Sequence, residues 1–467
     1  MNKLVTTIKE AVELSGLKNG MTVSFHHHLR NGDYVLNMVM EEIARLGIKD
    51  LTVNASSLFD VHLPLIEHIK NGVVTNVSAD YISGGLGRHF SCGVMENPVS
   101  FRTHGGRPSD IISGKTPIDV AFIAAPSCDP MGNCSGKYGK SACGSLGYAM
   151  VDAMHAKKVV VITDNLVKYP LADWSISETN VDYVVSVEEI GDPKGIVSGT
   201  TKITRDPVGL VMASMAAKTI EASGLLKDGF SFQTGAGGAS LAAAKFLKEI
   251  MLEKNIRGSF GLGGITGYMV DMLNAGCFEK LLDVQCFDLS AVESIKNNPN
   301  HMEISAQHYA SPTAKSAVVD SLDVVILGAT EIDTDFNVNV HTDSNGYIMG
   351  GSGGHSDTAA GAKLSMIIAP MFRARLPIIT DRVNCISTPG KDIDVLVTQG
   401  GIAVNPKNSE LKERLVLSGL PVISIEELKE KTERITGKPE KIKKGDRVVA
   451  EVVGRNGEIL DEIYSVC

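Results

Sequence analysis

The chain repeats itself. LKNGMTVSF at 17–25 is echoed by LKDGFSFQT at 226–234, which sets Gly229 against Gly20, 209 residues on. PIDVAFIAAPSCDPMGN at 117–133 is echoed by SLDVVILGATEIDTDFN at 321–337, with Asp323 against Asp119 at an offset of 204. VVVITDN at 159–165 is echoed by LPIITDR at 376–382, and NVDYVVS at 180–186 by DIDVLVT at 392–398. These last two set Asp381 against Asp164 and Asp394 against Asp182. Strands of α/β proteins resemble one another, but four landmarks in one order at offsets of 204 to 217 predict one structural unit used twice.

That unit is α/β. MTVSF (21–25), DLTVNA (50–55), DVAFIAA (119–125), KVVVITD (158–164) and DYVVSVEE (182–189) are short apolar runs. They alternate with the helix-patterned YVLNMVMEEIARLG (34–47) and YAMVDAMHAK (148–157). Nearly continuous apolar strands separated by helices specify mainly parallel sheets covered on both faces. The boundary falls around KTIEASGLLKDG, which gives similar domains at 1–224 and 225–467. The second carries a tail: the lysine-rich connector GKPEKIKKGDRVV (437–449), read as a solvated linker, and a hairpin turning at Asn456–Gly457. Two such halves face each other, with a ligand between them at the C-terminal ends of the strands.

Composition narrows the function. A net charge of −9 argues against binding that rests on neutralising nucleic-acid phosphates. No uncharged apolar stretch reaches the ~20 residues that span a bilayer, and the N-terminus shows no signal-peptide pattern. The eight cysteines include no CxxC pair and read as free buried thiols, with no metal site, in a cytoplasmic protein.

The glycine-rich segments fail the common nucleotide tests. GKT at 114–116 and GKS at 139–141 lack the Walker A glycine, because Ser109 and Cys134 stand there. GGLGRH (84–89), GAGGAS (235–240) and GLGGITG (261–267) do not form a dinucleotide fingerprint. GAGGAS does follow a strand and open a helix, so its amides could hold an anion, or its glycines could serve only a tight turn. The sharpest feature is Glu331, just past the apolar run of 323–328, followed about 20 residues later by MGGSGGHSD (349–357). Such a loop can offer backbone N–H groups to an oxyanion, while the carboxylate attacks or orients an acyl carbon.

ATEIDTDFNVN followed by GGSGGHSD resembles the glutamate motif and glycine loop of the CoA-transferases and acyl-CoA hydrolases. Glu331 falls on their nucleophilic glutamate, and Gly351, Gly353, Gly354 and Asp357 fall on the oxyanion or thioester loop. Phe336 replaces the usual glycine, and Gln399 replaces an acid in DVLVTQGGIAVNPKNSELKERL (394–415). PIDVAFIAAPSCDPMGNCS (117–135) is similar to a first-domain segment of the same fold, so the resemblance covers both halves. It implies CoA-transferase-type domains, with Gly235, Gly237, Gly238, Gly400 and Gly401 as CoA-binding positions.

Within that superfamily, FHHHLRNGDYVLN (25–37), SGGLGRHFSCGVMENPV (83–99) and FRTHGGRPSDI (101–111) look like the citrate lyase α-subunit family. The resemblance implies that citrate replaces acetate on an acyl-carrier thioester, giving citryl-thioester and acetate. It implies β (lyase) and γ (acyl-carrier) partner subunits and a homo-oligomer. No cofactor is permanently bound; CoA, acetyl-CoA or the CoA-like prosthetic group of the carrier is a co-substrate. Ordinary CoA-transferases form a glutamyl thioester, whereas the citrate lyase type is thought to proceed by direct attack through a mixed anhydride, so the role of Glu331 stays open. An acyl-CoA hydrolase, a CoA-transferase for another acid and a non-catalytic CoA-ester scaffold are the alternatives.

A tricarboxylate needs cations and donors in a dry cleft. His26, His27, His28 and Arg30 follow the first strand, and Arg88, Arg102, His104 and Arg107 lie in glycine-rich loops nearby. Consecutive histidines alternate sides in an extended chain, which argues against all three sharing one metal. These eight are the candidate carboxylate ligands.

Overall fold

The computed structural model describes residues 3–197, 202–440 and 442–467. Two large sheets organise it. The first runs, edge to edge, Leu4–Val5, Tyr183–Ser186, Lys158–Thr163, Val120–Ala124, Thr22–Phe25, Leu51–Ala55, Val74–Ala79, Val99–Phe101, Val448–Val453, Ile459–Tyr464. The second runs His301–Glu303, Phe278–Cys286, Gly258–Ile265, Ser231–Thr234, Val324–Leu327, Leu364–Ile368, Val395–Thr398, Gly401–Val404. Within them only the edge hairpins, 448–464 and 395–404, pair antiparallel. Val120–Ala124 and Leu364–Ile368 are buried at every residue, as strands covered on both faces by helices must be. At ~1.5–3 kcal/mol per buried aliphatic side chain, such strands supply much of the folding free energy.

The repeat is physical. Strands at 183–186, 158–163, 120–124, 22–25, 51–55, 74–79 and 99–101 stand in the same order as those at 395–398, 364–368, 324–327, 231–234, 258–265, 278–286 and 301–303. Gly20 and Gly229 both turn at positive φ, +79° and +84°. Asp119 accepts from the Thr22 N–H at 2.8 Å and pairs with Lys157 at 2.7 Å. Its counterpart Asp323 accepts from the Ser231 N–H at 2.9 Å and pairs with Lys363 at 2.8 Å. Asp182 holds the Val159 N–H at 2.9 Å, and Asp394 holds the Ser365 N–H at 2.8 Å.

Three expectations are corrected. The strand 158–163 corresponds to Leu364–Ile368, not to LPIITDR: Ile379–Thr380 pairs instead with Glu331–Asp333 in a separate three-stranded sheet. The tail does not append to the second half, because Val448–Val453 adds to Val99–Phe101 and extends the first sheet. A parallel edge strand leaves a row of unpaired backbone groups, and the tail covers them. Not all eight cysteines are free, since Cys92 and Cys467 are disulfide-bonded while the other six are buried thiols. No helix among the described residues is long and apolar enough to cross a membrane.

Candidate active site between the two halves

Glu331 opens the short strand Glu331–Asp333, which pairs with Val338–Asn339 on one side and Ile379–Thr380 on the other. The residue is 5 % exposed. Oε2 accepts from Asn339 Nδ2 at 2.8 Å and from the Asn384 backbone N–H at 2.9 Å, and Oε1 accepts from Asn384 Nδ2 at 2.8 Å. Burial pushes its pKa above the usual carboxylate value, and these amide donors pull against that shift. The turn after this strand explains the missing family glycine: Phe336 itself adopts the left-handed φ of +63°. That conformation costs roughly 1–2 kcal/mol for an L-residue, which burying the phenyl ring to 1 % exposure offsets.

The glycine loop is an interface between the halves. Gly353 bridges to Thr103: its N–H donates to the Asp80 carbonyl at 3.2 Å, and its carbonyl accepts from the His104 N–H at 2.9 Å. A Cβ on Gly351 would meet the Asp80 carbonyl oxygen at 2.3 Å, and one on Gly354 the Tyr309 hydroxyl at 2.4 Å. The Gly353 amide is therefore not free for an oxyanion, while those of Gly351 and Gly354 have no backbone acceptor among the described residues. Asp357 is fully buried and ties the halves together, accepting from Thr103 Oγ1 at 2.9 Å and the Gly105 N–H at 2.8 Å.

Most of the expected cations are already paired. The Arg107 guanidinium is bidentate to Asp152 at 2.8 and 2.7 Å and donates through Nε to Asn54 at 2.7 Å. His26 Nε2 lies 3.0 Å from the same Asp152. Arg102 pairs with Asp110. His28 bonds the Ala124 carbonyl at 2.9 Å, and burial lowers its pKa to about 4, so it is neutral at physiological pH. Arg88 is exposed and stacks on Tyr347 at 5.4 Å. Arg102 and Arg107 thus spend their charge inside the protein, while His26 beside Asp152 and His28 on the Ala124 carbonyl each keep a buried Nδ1 without a hydrogen bond among the described residues.

Arg30 is the exception. Its guanidinium lies over Phe59 of the first half at 5.6 Å and Phe287 of the second at 4.9 Å. It makes no ion pair among the described residues, and its NH1 is buried without a partner. Burial depresses its pKa, countered by Tyr81 and Tyr148. The residue also sits at a left-handed φ of +52°, strain that a non-glycine residue carries where the geometry is imposed for another purpose. His27, whose carbonyl accepts the Arg30 N–H at 2.9 Å, turns its ring toward Tyr148 at 4.8 Å and His104 at 5.8 Å. Gln285 of the second half donates to that same His27 carbonyl at 2.9 Å.

The remaining glycines divide. Gly235 and Gly237 have their nearest side-chain-position neighbours at 3.6 and 3.9 Å and ordinary φ, so neither packing nor backbone demands glycine there. Gly238 is crowded by the Lys202 carbonyl at 2.9 Å. Gly400 and Gly401 close the 395–404 hairpin against Met371 and Ile423, at 2.4 and 2.6 Å, so packing alone accounts for both. Among the described residues no group of three His, Cys, Asp or Glu side chains has a metal-binding arrangement. A cavity of about 400 Å³ lies along Gly238–Glu253, lined by Lys245, Lys248, Tyr268 and Asp271, and includes none of the residues above.

Sequence reading missed the acids that neutralise its cations, the amides that hold Glu331, and the aromatic pair around Arg30. Only Asp152 carried a signal, as the single acid in the apolar run YAMVDAM. The family model described as "Citrate lyase, alpha subunit" matches residues 1–466. The citrate lyase alpha chains of Klebsiella pneumoniae and Haemophilus influenzae are 52 % and 51 % identical over 464 residues, covering 99 % of this chain and 91 % and 93 % of theirs. A Streptococcus mutans citrate lyase alpha subunit, solved in complex with citrate, superposes with a TM-score of 0.98 at 50 % identity, over 100 % of this chain and 92 % of that one. A malonate decarboxylase alpha subunit from Acinetobacter baumannii shares the fold at 16 % identity, with a TM-score of 0.71 over 94 % of each chain. The chain belongs to the citrate lyase alpha subunit family.

Proposed function

We propose that this chain performs the citrate-dependent acyl exchange of citrate lyase in the cleft between its halves, with Arg30 anchoring citrate carboxylates and Glu331 serving the acyl centre. The observation that carries the assignment is a desolvated guanidinium left, among the described residues, without an acid and held between Phe59 and Phe287. A planar, fully charged donor between apolar walls is suited to bidentate carboxylate recognition. The relative from Streptococcus mutans solved with citrate supports the choice of acid.

Arg30 and Glu331 are joined by a contiguous set of contacts. Asn339, which donates to Glu331, accepts the His341 N–H at 3.0 Å, and His341 accepts the Ser352 N–H at 3.3 Å. Ser352 leads into Gly353, whose carbonyl holds the His104 N–H, and His104 flanks His27 beside Arg30. The thioester then lies along the glycine loop, and the open positions at Gly235 and Gly237 admit a phosphate of the CoA-like arm at the start of the helix Gly238–Glu253. A citrate carboxylate displaces the thiol from the acetyl group, and the thiol returns to the citryl carbonyl as acetate leaves. The β subunit supplies cleavage, the γ subunit the carrier, and the assembly is a cytoplasmic homo-oligomeric complex.

The test is exchange by the purified chain. With acetyl-CoA and labelled citrate, alone and with an acyl-carrier subunit, citryl-thioester forms. Exchange of another acid while citrate is ignored overturns the substrate, and hydrolysis without exchange makes it a hydrolase. Glu331→Gln abolishes exchange with the fold intact, and a variant that still supports turnover shows instead a scaffold. Borohydride trapping at Glu331 separates a covalent thioester from direct attack.

A further inference from the structure

Acyl exchange expels a thiol and takes it back, so it needs a group that gives and recovers one proton. Glu331 has both carboxylate oxygens occupied by three amide donors, which oppose the rise that burial gives its pKa, and Arg30 does not deprotonate. His104 meets the requirement. Its Nδ1 lies 2.8 Å from Oδ2 of Asp80, which is 0 % exposed, and Asp80 Oδ1 has no hydrogen-bond partner among the described residues. A carboxylate bonded at Nδ1 fixes the imidazole tautomer and leaves proton exchange to Nε2.

Nε2 has no protein hydrogen-bond partner among the described residues, and the side chain keeps 13 % of its surface accessible. It faces the glycine loop: a Cβ on Gly353 would lie 3.1 Å from it. The ring is fixed by Tyr148 at 4.5 Å and His27 at 5.8 Å, and the backbone N–H of His104 donates to the Gly353 carbonyl at 2.9 Å. Asp357, the other acid behind this loop, is spent on Thr103 and Gly105.

We propose that His104, oriented by Asp80, is the general acid and base at sulfur. This rests on the exchange reading above. As the attacking carboxylate oxygen bonds to the acetyl carbon, the C–S bond breaks and its electron pair goes to sulfur, which receives the Nε2 proton. In the second half the neutral imidazole takes that proton back, sulfur bonds to the citryl carbonyl carbon, the C–O bond to acetate breaks, and acetate departs with the electron pair. Protons balance over the cycle, and no oxidant or metal enters.

The experiment varies the leaving group. The full chain, His104→Asn and His104→Gln are given citrate with either acetyl-CoA or the acetyl thioester of thionitrobenzoate, whose thiolate leaves without a proton. Asn keeps a donor toward Asp80 and removes Nε2; Gln places an amide near Nε2 that cannot transfer a proton. Both are expected to lose ~10²–10³-fold on acetyl-CoA and under about fivefold in thiolate release from the aryl thioester, as loss of a general acid requires. Asp80→Asn is expected to follow the same pattern more weakly. Equal losses on both thioesters, or full activity on acetyl-CoA, overturn the assignment. Urea denaturation confirms that each variant is folded. Failure of the unaltered chain to exchange citrate instead removes the underlying reading, so the two failures are distinguishable.

Discussion

Asn384 holds Glu331 at both carboxylate oxygens, through its backbone N–H to Oε2 at 2.9 Å and its side-chain amide to Oε1 at 2.8 Å. The grip is stabilised from the C-terminal tail, where Lys444 Nζ donates to the Asn384 carbonyl at 3.2 Å and Asp461 accepts the Ile386 N–H at 2.9 Å. Closing the first sheet and orienting the candidate catalytic carboxylate are thus done by one segment of chain.

Asn384→Ala is expected to slow exchange by about 10–100-fold, the worth of one hydrogen bond to a charged group. The pH profile gives the sign. Burial already raises the Glu331 pKa, and the Asn384 donors oppose it. Removing one donor raises the pKa further, so the acidic limb of kcat against pH moves to higher pH. A limb that stays in place or moves down contradicts this role.

For Arg30, loss of the cation is expected to raise the KM for citrate by about 100-fold, as for truncation of a buried charge partner. Arg30→Lys restores little, because a point charge cannot reproduce the fork or its stacking on Phe59 and Phe287. Arg30→Gly separates binding from folding. It relaxes the +52° backbone angle and removes an unpaired buried charge, so it is expected to gain about 1 kcal/mol in urea denaturation while losing citrate binding.

The fold was legible in the sequence where one residue does local work. Asp119, Asp182, Asp323 and Asp394 each stand beside a strand start and bond a neighbouring strand's first amides, so their positions survive in both halves. Asp381 misled for the opposite reason: it follows an Ile-Thr run that pairs outside the main sheet. The site was legible in its side chains but not in their pairing. Arg107 and Asp152 are 45 residues apart in sequence, and only the docking of the helix Gly147–His155 turns a candidate carboxylate ligand into an internal ion pair. Arg30 differs from Arg107 in what is missing beside it, and an absence of partners is a tertiary fact.

The equivalence of the halves makes a stability prediction. Asp119 and Asp323 each bind one backbone amide and one lysine, Asp323 also accepting from the Ser231 hydroxyl at 3.2 Å, with side chains 14 % and 15 % exposed. Asp119→Ala and Asp323→Ala are each expected to cost roughly 1–3 kcal/mol, since either leaves a strand N–H unsatisfied. Urea denaturation checks both. A cost confined to one half would show that the repeat is shared in shape but not in energetics.

Asp357 makes the pH dependence of that stability specific. Burial raises its pKa to about 6, against the Gly105 and Thr103 donors and Arg455. Because the folded value lies above the unfolded one of about 3.9, the folded chain binds this proton more tightly. The contribution is fully present below about pH 4 and is lost as pH rises through 6, a change on the order of 2–3 kcal/mol. Asp357→Asn has no such proton to lose. Its stability relative to the unaltered chain is therefore expected to improve steadily from pH 4 to pH 7 in urea titrations. A constant difference between the two across that window would mean that Asp357 has an ordinary pKa, and that its bonds to Thr103 and Gly105 outweigh its burial.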